Sequence, residues 1–350
     1  MTEQVKAILE KGVEEGAFPG ATFCLVHHDG RTEVGATGHK SLVPKKEKNT
    51  EKTIYDVASL TKVVATTTMI MRLFDTGKAG LDTRVCTVLP RYGHKNTTIA
   101  ELLTHTSGLP ADIPSPRTLK TKEDVLGRIY AMDLIYEPET RIVYSDVGFI
   151  LLGEIIEKIT GKSLDVFARE TIFTPLGMND TGYHPDVSRT APTEIRNDET
   201  HQGLLKGKVH DEKSFAMDGL SGHAGLFSTA SDLGRFVLSI LRNDTVLEKR
   251  TVDTLFQETV ALPDRQGRML RRSLGWDKPT PGGIGGDHVS VNDTILHTGF
   301  TGCSIVIDRK AGTGIVILSN GVHPDREKNG MNPYRRLVAD VIYSKPGGNR

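Results

Sequence analysis

Ser59 and Lys62 lie three positions apart at the front of an apolar run, VASLTKVVATTTMIMRL. A serine hydroxyl is a weak nucleophile until a base takes its proton. On a helix, positions i and i+3 share a face, so the Lys62 amine can reach the Ser59 hydroxyl. To act as that base the amine must be neutral, which requires its pKa to fall through burial or nearby positive charge. Ser59 also stands at the expected helix start. There its backbone N–H has no partner within the helix and the helix dipole favours negative charge, which suits an oxyanion donor. S-x-x-K alone equally describes an exposed helical serine and lysine. A lysine inside so apolar a helix is the feature that asks for a chemical role.

Two further segments carry reactive types. Tyr144-Ser145-Asp146 opens the apolar stretch GFILLGEIIEKITG, so its phenol can project into a cleft and share the base role with Lys62. His297-Thr298-Gly299 closes a strand-like run. Gly299 permits close backbone approach, and the next N–H, from Phe300, suits a second oxyanion donor. His210-Asp211 and Gly222-His223 match no standard zinc spacing, and no metal or other cofactor is expected. Asp211 and His223 are expected to line or brace the substrate cleft through hydrogen bonds. The run PGGIGG (281–286) lacks the Lys-Ser/Thr of a phosphate loop and the strand–helix setting of a dinucleotide fingerprint, which argues against nucleotide binding.

The elements that must position these residues follow from pattern. Residues 1–20 read as an amphipathic helix with Val5, Ile8, Leu9 and Val13 on one face. Ala21–His28 and Thr32–Thr37 flank Asp29-Gly30 as a hairpin. Residues 40–52 read as a lysine-rich loop, and Leu60–Asp75 as one continuous buried helix. Helical patterns recur at Ile99–Leu103, Lys122–Ala131, Asp146–Ile159 and Leu164–Ile172, with a polar, loop-rich stretch over 185–222. Helices return at Ser231–Leu241, Glu248–Phe256 and Pro333–Tyr343. Strands are expected at Thr294–Thr298, Cys303–Ile307 and Gly314–Leu318. Strands at both ends thus bracket a helical middle. The economical fold is an α/β (α+β) one: an antiparallel sheet built from both termini, flanked by helices, with a mainly helical domain inserted. The expected boundaries are 1–80 with 220–350 for the sheet-bearing domain and 81–219 for the insert, the active site lying between them.

The 350 residues suffice for a large core. Forty-four basic residues balance forty-four acidic ones, leaving no global field to recruit nucleic acid. The three cysteines form no disulfide framework. No run approaches the roughly 18 apolar residues of a membrane span, and the N-terminus does not read as a signal peptide. A cytoplasmic location is expected for the sequence as it stands, or a secreted one if a leader has been removed.

Taken in order, the three segments resemble the penicillin-recognising serine hydrolases, the superfamily of class C β-lactamases, D-alanyl-D-alanine carboxypeptidases and related esterases and amidases. LLTHTSGLP (102–110) and PLGMNDTGY (175–183) are similar to other hallmarks of that superfamily. GKVHDEKSFAMDGLSGHAGLFSTASDL (207–233) resembles a subgroup associated with muropeptide hydrolysis. The resemblance covers about residues 5–345. It implies a β-lactamase/transpeptidase-like fold, with Ser59 as the acylated serine, Lys62 and Tyr144 as its catalytic partners, and His297, Thr298 and Gly299 as the K/H-T-G strand. Two departures stand out. Asp146 occupies the place of the usual asparagine, and an ionised carboxylate accepts but cannot donate. His297 replaces lysine and attracts a substrate carboxylate less at pH 7. Both argue against strong β-lactamase activity. The expected function is acylation of Ser59 by a small amide or ester, drawn from peptidoglycan (D-alanyl or muropeptide) or a β-lactam. The alternatives are a broad carboxylesterase and a non-hydrolytic penicillin- or muropeptide-binding sensor.

Overall fold

The computed structural model describes residues 1–244 and 246–344. Its centre is a six-stranded antiparallel sheet drawn from both ends of the chain. Strands β1 (Gly20–His27), β2 (Thr32–Ser41) and β3 (Glu47–Lys48) come from the N-terminal part. Strands β4 (Thr294–Thr298), β5 (Ser304–Asp308) and β6 (Thr313–Ser319) come from the C-terminal part. The spatial order is β4-β5-β6-β1-β2-β3, and β1 pairs with β6 from Ala21↔Ser319 to His27↔Thr313.

Alternation along the strands builds two cores. Phe23, Leu25, Val306, Ile315 and Ile317 face one side, where they meet α1 (Thr2–Glu14) and the C-terminal helix Met331–Tyr343 through Val5, Leu9, Val338 and Ile342. Cys24, Val26, Ile305, Ile307, Val316 and Leu318 face the other side, against Leu233, Phe236, Val237 and Ile240 of the helix Ala230–Arg242. Each such side chain contributes about 1.5–3 kcal/mol by leaving water. The second core runs without a break into the helical middle through Val63, Ile70, Leu102, Phe149 and Ile156. The α/β architecture expected from the pattern is the one observed. Of the residues assigned to its sheet-bearing part, 245 and 345–350 lie outside those described.

Four local expectations need correction. The stretch 40–52 is not all loop: β2 continues to Ser41, and Glu47–Lys48 pairs back onto it. The helix after Ser59 is not uniformly α. Lys62–Thr67 is π-helical and only Thr68–Asp75 is α. Four of those six π-helical residues, Val63, Val64, Thr66 and Thr67, are β-branched and crowd an α turn. The Thr68 hydroxyl meets the Val63 carbonyl five residues back, at 3.0 Å. Similarly, Leu164–Ala168 is α but Arg169–Phe173 is π-helical. A hairpin of Val260–Pro263 with Met269–Arg272 also forms where no strand was expected, because its charged sequence masks the alternation.

Candidate active site

A buried aspartate builds the turn that carries Ser59. Asp56 Oδ1 accepts the Ala58 N–H at 2.9 Å and Oδ2 accepts the His210 N–H at 2.6 Å. Ala58 is thereby held at φ 48°, a left-handed conformation that is costly for a residue with a Cβ. The Asp56 carbonyl accepts the Thr301 hydroxyl at 2.7 Å. One residue therefore ties the Ser59 turn to the His210 loop and to the chain just after Phe300. At the end of β4, a Cβ on Gly299 would come within 2.4 Å of the Val57 carbonyl. Only glycine lets that strand pass so close to the Ser59 segment. Ser59 and Phe300 consequently line one cleft of about 260 Å³, and neither backbone N–H has an acceptor among the described residues. Two free N–H groups at one cleft, beside a serine hydroxyl, can hold the oxyanion of a tetrahedral intermediate.

Lys62 is fully buried. Its Nζ donates to Ser59 Oγ at 3.0 Å and to the His223 carbonyl at 3.1 Å, and it pairs with Asp146 Oδ1 at 2.7 Å. The direction of its pKa is opposite to the one a resting base requires. Burial works to lower it, but the Asp146 carboxylate, followed by Tyr144, more than offsets that, and the net direction is upward. Lys62 is an ammonium at rest. Asp146 is held charged in turn: burial opposes ionisation, but Lys62, His223 and Lys213 outweigh it and lower its pKa. Lys213, itself 2% exposed, stands 3.2 Å from Asp146, 3.0 Å from Asp211 and 2.9 Å from Asp112. Both Asp146 oxygens are thus taken by ammonium groups.

Tyr144 lies with its ring 4.7 Å from Lys62 Nζ. Burial raises the pKa of its hydroxyl, and the neighbouring Lys62 charge pulls it only partly back. His105 fixes the segment from both sides. Its carbonyl accepts the Val143 N–H at 2.9 Å, and its Nδ1 accepts the Ser145 N–H at 2.9 Å. Its ring packs 4.7 Å from that of Tyr144. Burial holds the His105 pKa well below 6.5, as an acceptor Nδ1 requires.

His297 is 1% exposed, with Nδ1 donating to the Thr298 carbonyl at 2.8 Å and Nε2 lacking a partner among the described residues. Burial brings its pKa to about 4, so this position supplies no charge at neutral pH. A cation nevertheless stands nearby. The Arg272 guanidinium lies 5.4 Å from the Tyr144 ring, anchored to Asp277 at 2.7 Å, and its Nη1 is buried without a partner among the described residues. Thr298 is half-buried at the strand end.

Asp211 lines the cleft, and its Oδ1 accepts the Ser214 N–H at 2.8 Å. It also meets His223 Nε2 at 2.7 Å, while His223 Nδ1 meets the Ser221 hydroxyl at 2.8 Å. Asp146, Asp211 and His223 bring candidate ligand atoms within 4.8 Å of one another. Two lysine ammoniums already neutralise those carboxylates and both His223 nitrogens are engaged, so the trio braces the Lys62 pocket instead of offering a cation site. A Cβ on Gly222 would meet the Phe149 carbonyl at 2.1 Å. This close approach brings the His223 carbonyl over Lys62.

The β-lactamase family model matches residues 5–340 of this sequence. The chain belongs to the β-lactamase family. It is 31% identical to the N-acetylmuramyl-L-alanine amidase of Bacillus subtilis (strain 168), over 93% of this chain and 83% of that protein. It is 32% identical to a protein of Escherichia coli (strain K12) provisionally named D-alanyl-D-alanine carboxypeptidase, over 82% of this chain and 74% of that protein. Among solved structures, EstCE1, a hydrolase with promiscuous acyltransferase activity, superposes with a TM-score of 0.78 at 22% identity, covering 98% of each chain. A class C β-lactamase superposes with a TM-score of 0.75 at 21% identity, covering 99% of this chain and 97% of that one. At these identities the two structures speak for the fold. As a β-lactamase-family member the chain is a serine hydrolase. Among the described residues no helix is long and apolar enough to cross a membrane.

Sequence reasoning did not single out four side chains of this β-lactamase-family site: Asp56, His105, Lys213 and Arg272. His105 and Lys213 lie inside the quoted stretches LLTHTSGLP and GKVHDEKSF, so a signal was present. Asp56 and Arg272 carry none, because their roles arise only when distant segments meet.

Proposed function

We propose that this chain is an amidase that acylates Ser59 with the acyl half of a peptidoglycan-derived amide. The observation that carries the reading is the Ser59 Oγ–Lys62 Nζ contact of 3.0 Å beneath two free N–H groups, on Ser59 and Phe300. The likeness to a named muramyl-L-alanine amidase over most of both chains supports the substrate class. In the first step the Lys62–Tyr144 pair, in the form that has lost one proton to solvent, takes the Ser59 proton as Oγ bonds to the carbonyl carbon. The same pair then protonates the departing amine, and water hydrolyses the ester. Asp146 cannot donate to a substrate carbonyl and has no free oxygen. That favours a second reading, a carboxylesterase that needs no amide donor at this position.

The test exposes the protein to penicillin, to an activated ester and to an N-acetylmuramoyl-L-alanyl peptide, with Ser59→Ala alongside. Release of the peptide's amine by wild type alone, with an acyl mass trapped on Ser59, is the expected result. Ester turnover without amide cleavage would move the assignment to the esterase. Stable penicillin labelling with no turnover would move it to a sensor. No Ser59-dependent chemistry with any of the three would sink the nucleophile assignment.

A further inference from the structure

On the amidase reading the leaving amine collects its proton at the Tyr144 hydroxyl, which lines the cleft. The acyl half is then left to the rest of the lining of the same cleft. Phe300 stands at the rim, 57% exposed, with its ring stacked at 5.6 Å and 29° on the buried His210 ring. An exposed aromatic face pinned from behind is a rigid apolar platform. Beside it, two carboxylates have one oxygen engaged and one free. Asp112 Oδ1 accepts the Ile113 N–H at 2.6 Å and pairs with Lys213, while its other oxygen has no partner among the described residues. Glu212 Oε1 meets Arg326 at 2.8 Å and Arg117 at 3.2 Å, and Oε2 is likewise without one. Arg326 is clamped by Glu194 and Glu212, leaving Nη1 to donate. His210, 4% exposed, turns its Nε2 toward Glu194 Oε2 at 3.5 Å. The four carboxylates Asp112, Asp146, Asp211 and Glu212 are matched by the cations paired with them, Lys62, Lys213, Arg117 and Arg326, so the wall offers no surplus positive charge to an anionic acyl group.

We infer that the wall formed by Phe300, His210, Asp112, Glu212 and Arg326 is a saccharide subsite, which holds an uncharged pyranose on the acyl side of the scissile amide. The ring's C–H face lies on Phe300, its hydroxyls donate to Asp112 and Glu212, and Arg326 donates to an acetamido or ring oxygen. The inference deepens the amidase reading and rests on its orientation of the substrate.

Its test uses binding, so it does not depend on turnover. Ser59→Ala protein is titrated calorimetrically with N-acetylmuramoyl-L-alanine and with D-lactoyl-L-alanine, which keeps the lactyl arm and the amide but lacks the sugar. The sugar-bearing compound should bind at least about tenfold tighter. Phe300→Ala or Glu212→Gln in the same background should each remove most of that difference. Equal affinities, or a difference that survives both substitutions, would overturn the subsite. A chain that prefers the sugar yet never cleaves its amide would refute the amidase reading and leave this inference standing. Cleavage with no sugar preference would do the reverse.

Discussion

Lys62 and Asp146 pose the central chemical question of the site, because their 2.7 Å pair holds the lysine as an ammonium. Both members of the proposed base pair are protonated at rest. The Lys62 pKa lies above its ordinary 10.5, and that of Tyr144 above its ordinary 10.0. A base with a raised pKa gains its active form as pH rises, so kcat/KM should climb from neutrality through pH 9 with no plateau near 7. Asp146→Asn removes the carboxylate that holds the charge and leaves Lys213 facing Lys62. The Lys62 pKa must then fall and the alkaline limb move to lower pH. The measurement is a pH–rate profile on an ester for both proteins. Superimposable limbs would show that Asp146 does not set the base. The same substitution supplies an amide donor, so acylation by penicillin should quicken. In the sequence, the replacement of asparagine by aspartate at 146 was legible. Its consequence was not, because Lys213 reaches Asp146 from the short helix Glu212–Ala216, far along the chain.

At the scale of elements, the site depends on three close approaches: Asp56 under the Ser59 turn, Gly299 against Val57, and His105 around Tyr144. Helices and strands bearing Ser59, Asp146 and His297 could be read from period and punctuation, since core burial dictates both. The π turn at Lys62–Thr67 could not, because the spacing of apolar residues does not separate an α turn from a π turn. Gly299 was legible as a point of close approach, but its neighbour was not. A methyl at Gly299 would meet the Val57 carbonyl at 2.4 Å and push the Phe300 N–H away from that of Ser59. Gly299→Ala should therefore lower kcat on an ester by about 10²–10³-fold, the worth of one oxyanion donor. Near-UV circular dichroism should stay native. A kcat within about threefold of wild type would mean that the Phe300 N–H does not serve the oxyanion.

Across the whole molecule, the site joins chain ends to chain middle. Phe300 follows a strand of the C-terminal half, Ser59 follows the N-terminal strands, and Tyr144 comes from the helical region between. Two histidines at this junction, His105 and His297, are buried with lowered pKa values, which links catalytic geometry to acid stability. His297 goes from an ordinary 6.5 to about 4, driven down by burial, then by Lys62 and Arg272, with Asp277 and the Thr298 carbonyl opposing. A depressed pKa means that the unfolded chain binds the proton first. Stability from this group is therefore complete above pH 6.5 and is lost as pH falls toward 4. The shift corresponds to about 3 kcal/mol. His105 adds in the same direction, and its protonation would also cost the Ser145 N–H its acceptor and loosen Tyr144. Asp146 and Asp211, whose pKa values are lowered, contribute a separate loss only below their ordinary 3.8. Denaturant unfolding between pH 7 and 4 should thus show a loss of stability to which His297 and His105 contribute. His297→Gln should flatten that slope by about 3 kcal/mol across the interval. An unchanged slope in the variant would mean that His297 is protonated in the folded protein, and that the third segment carries a charge after all.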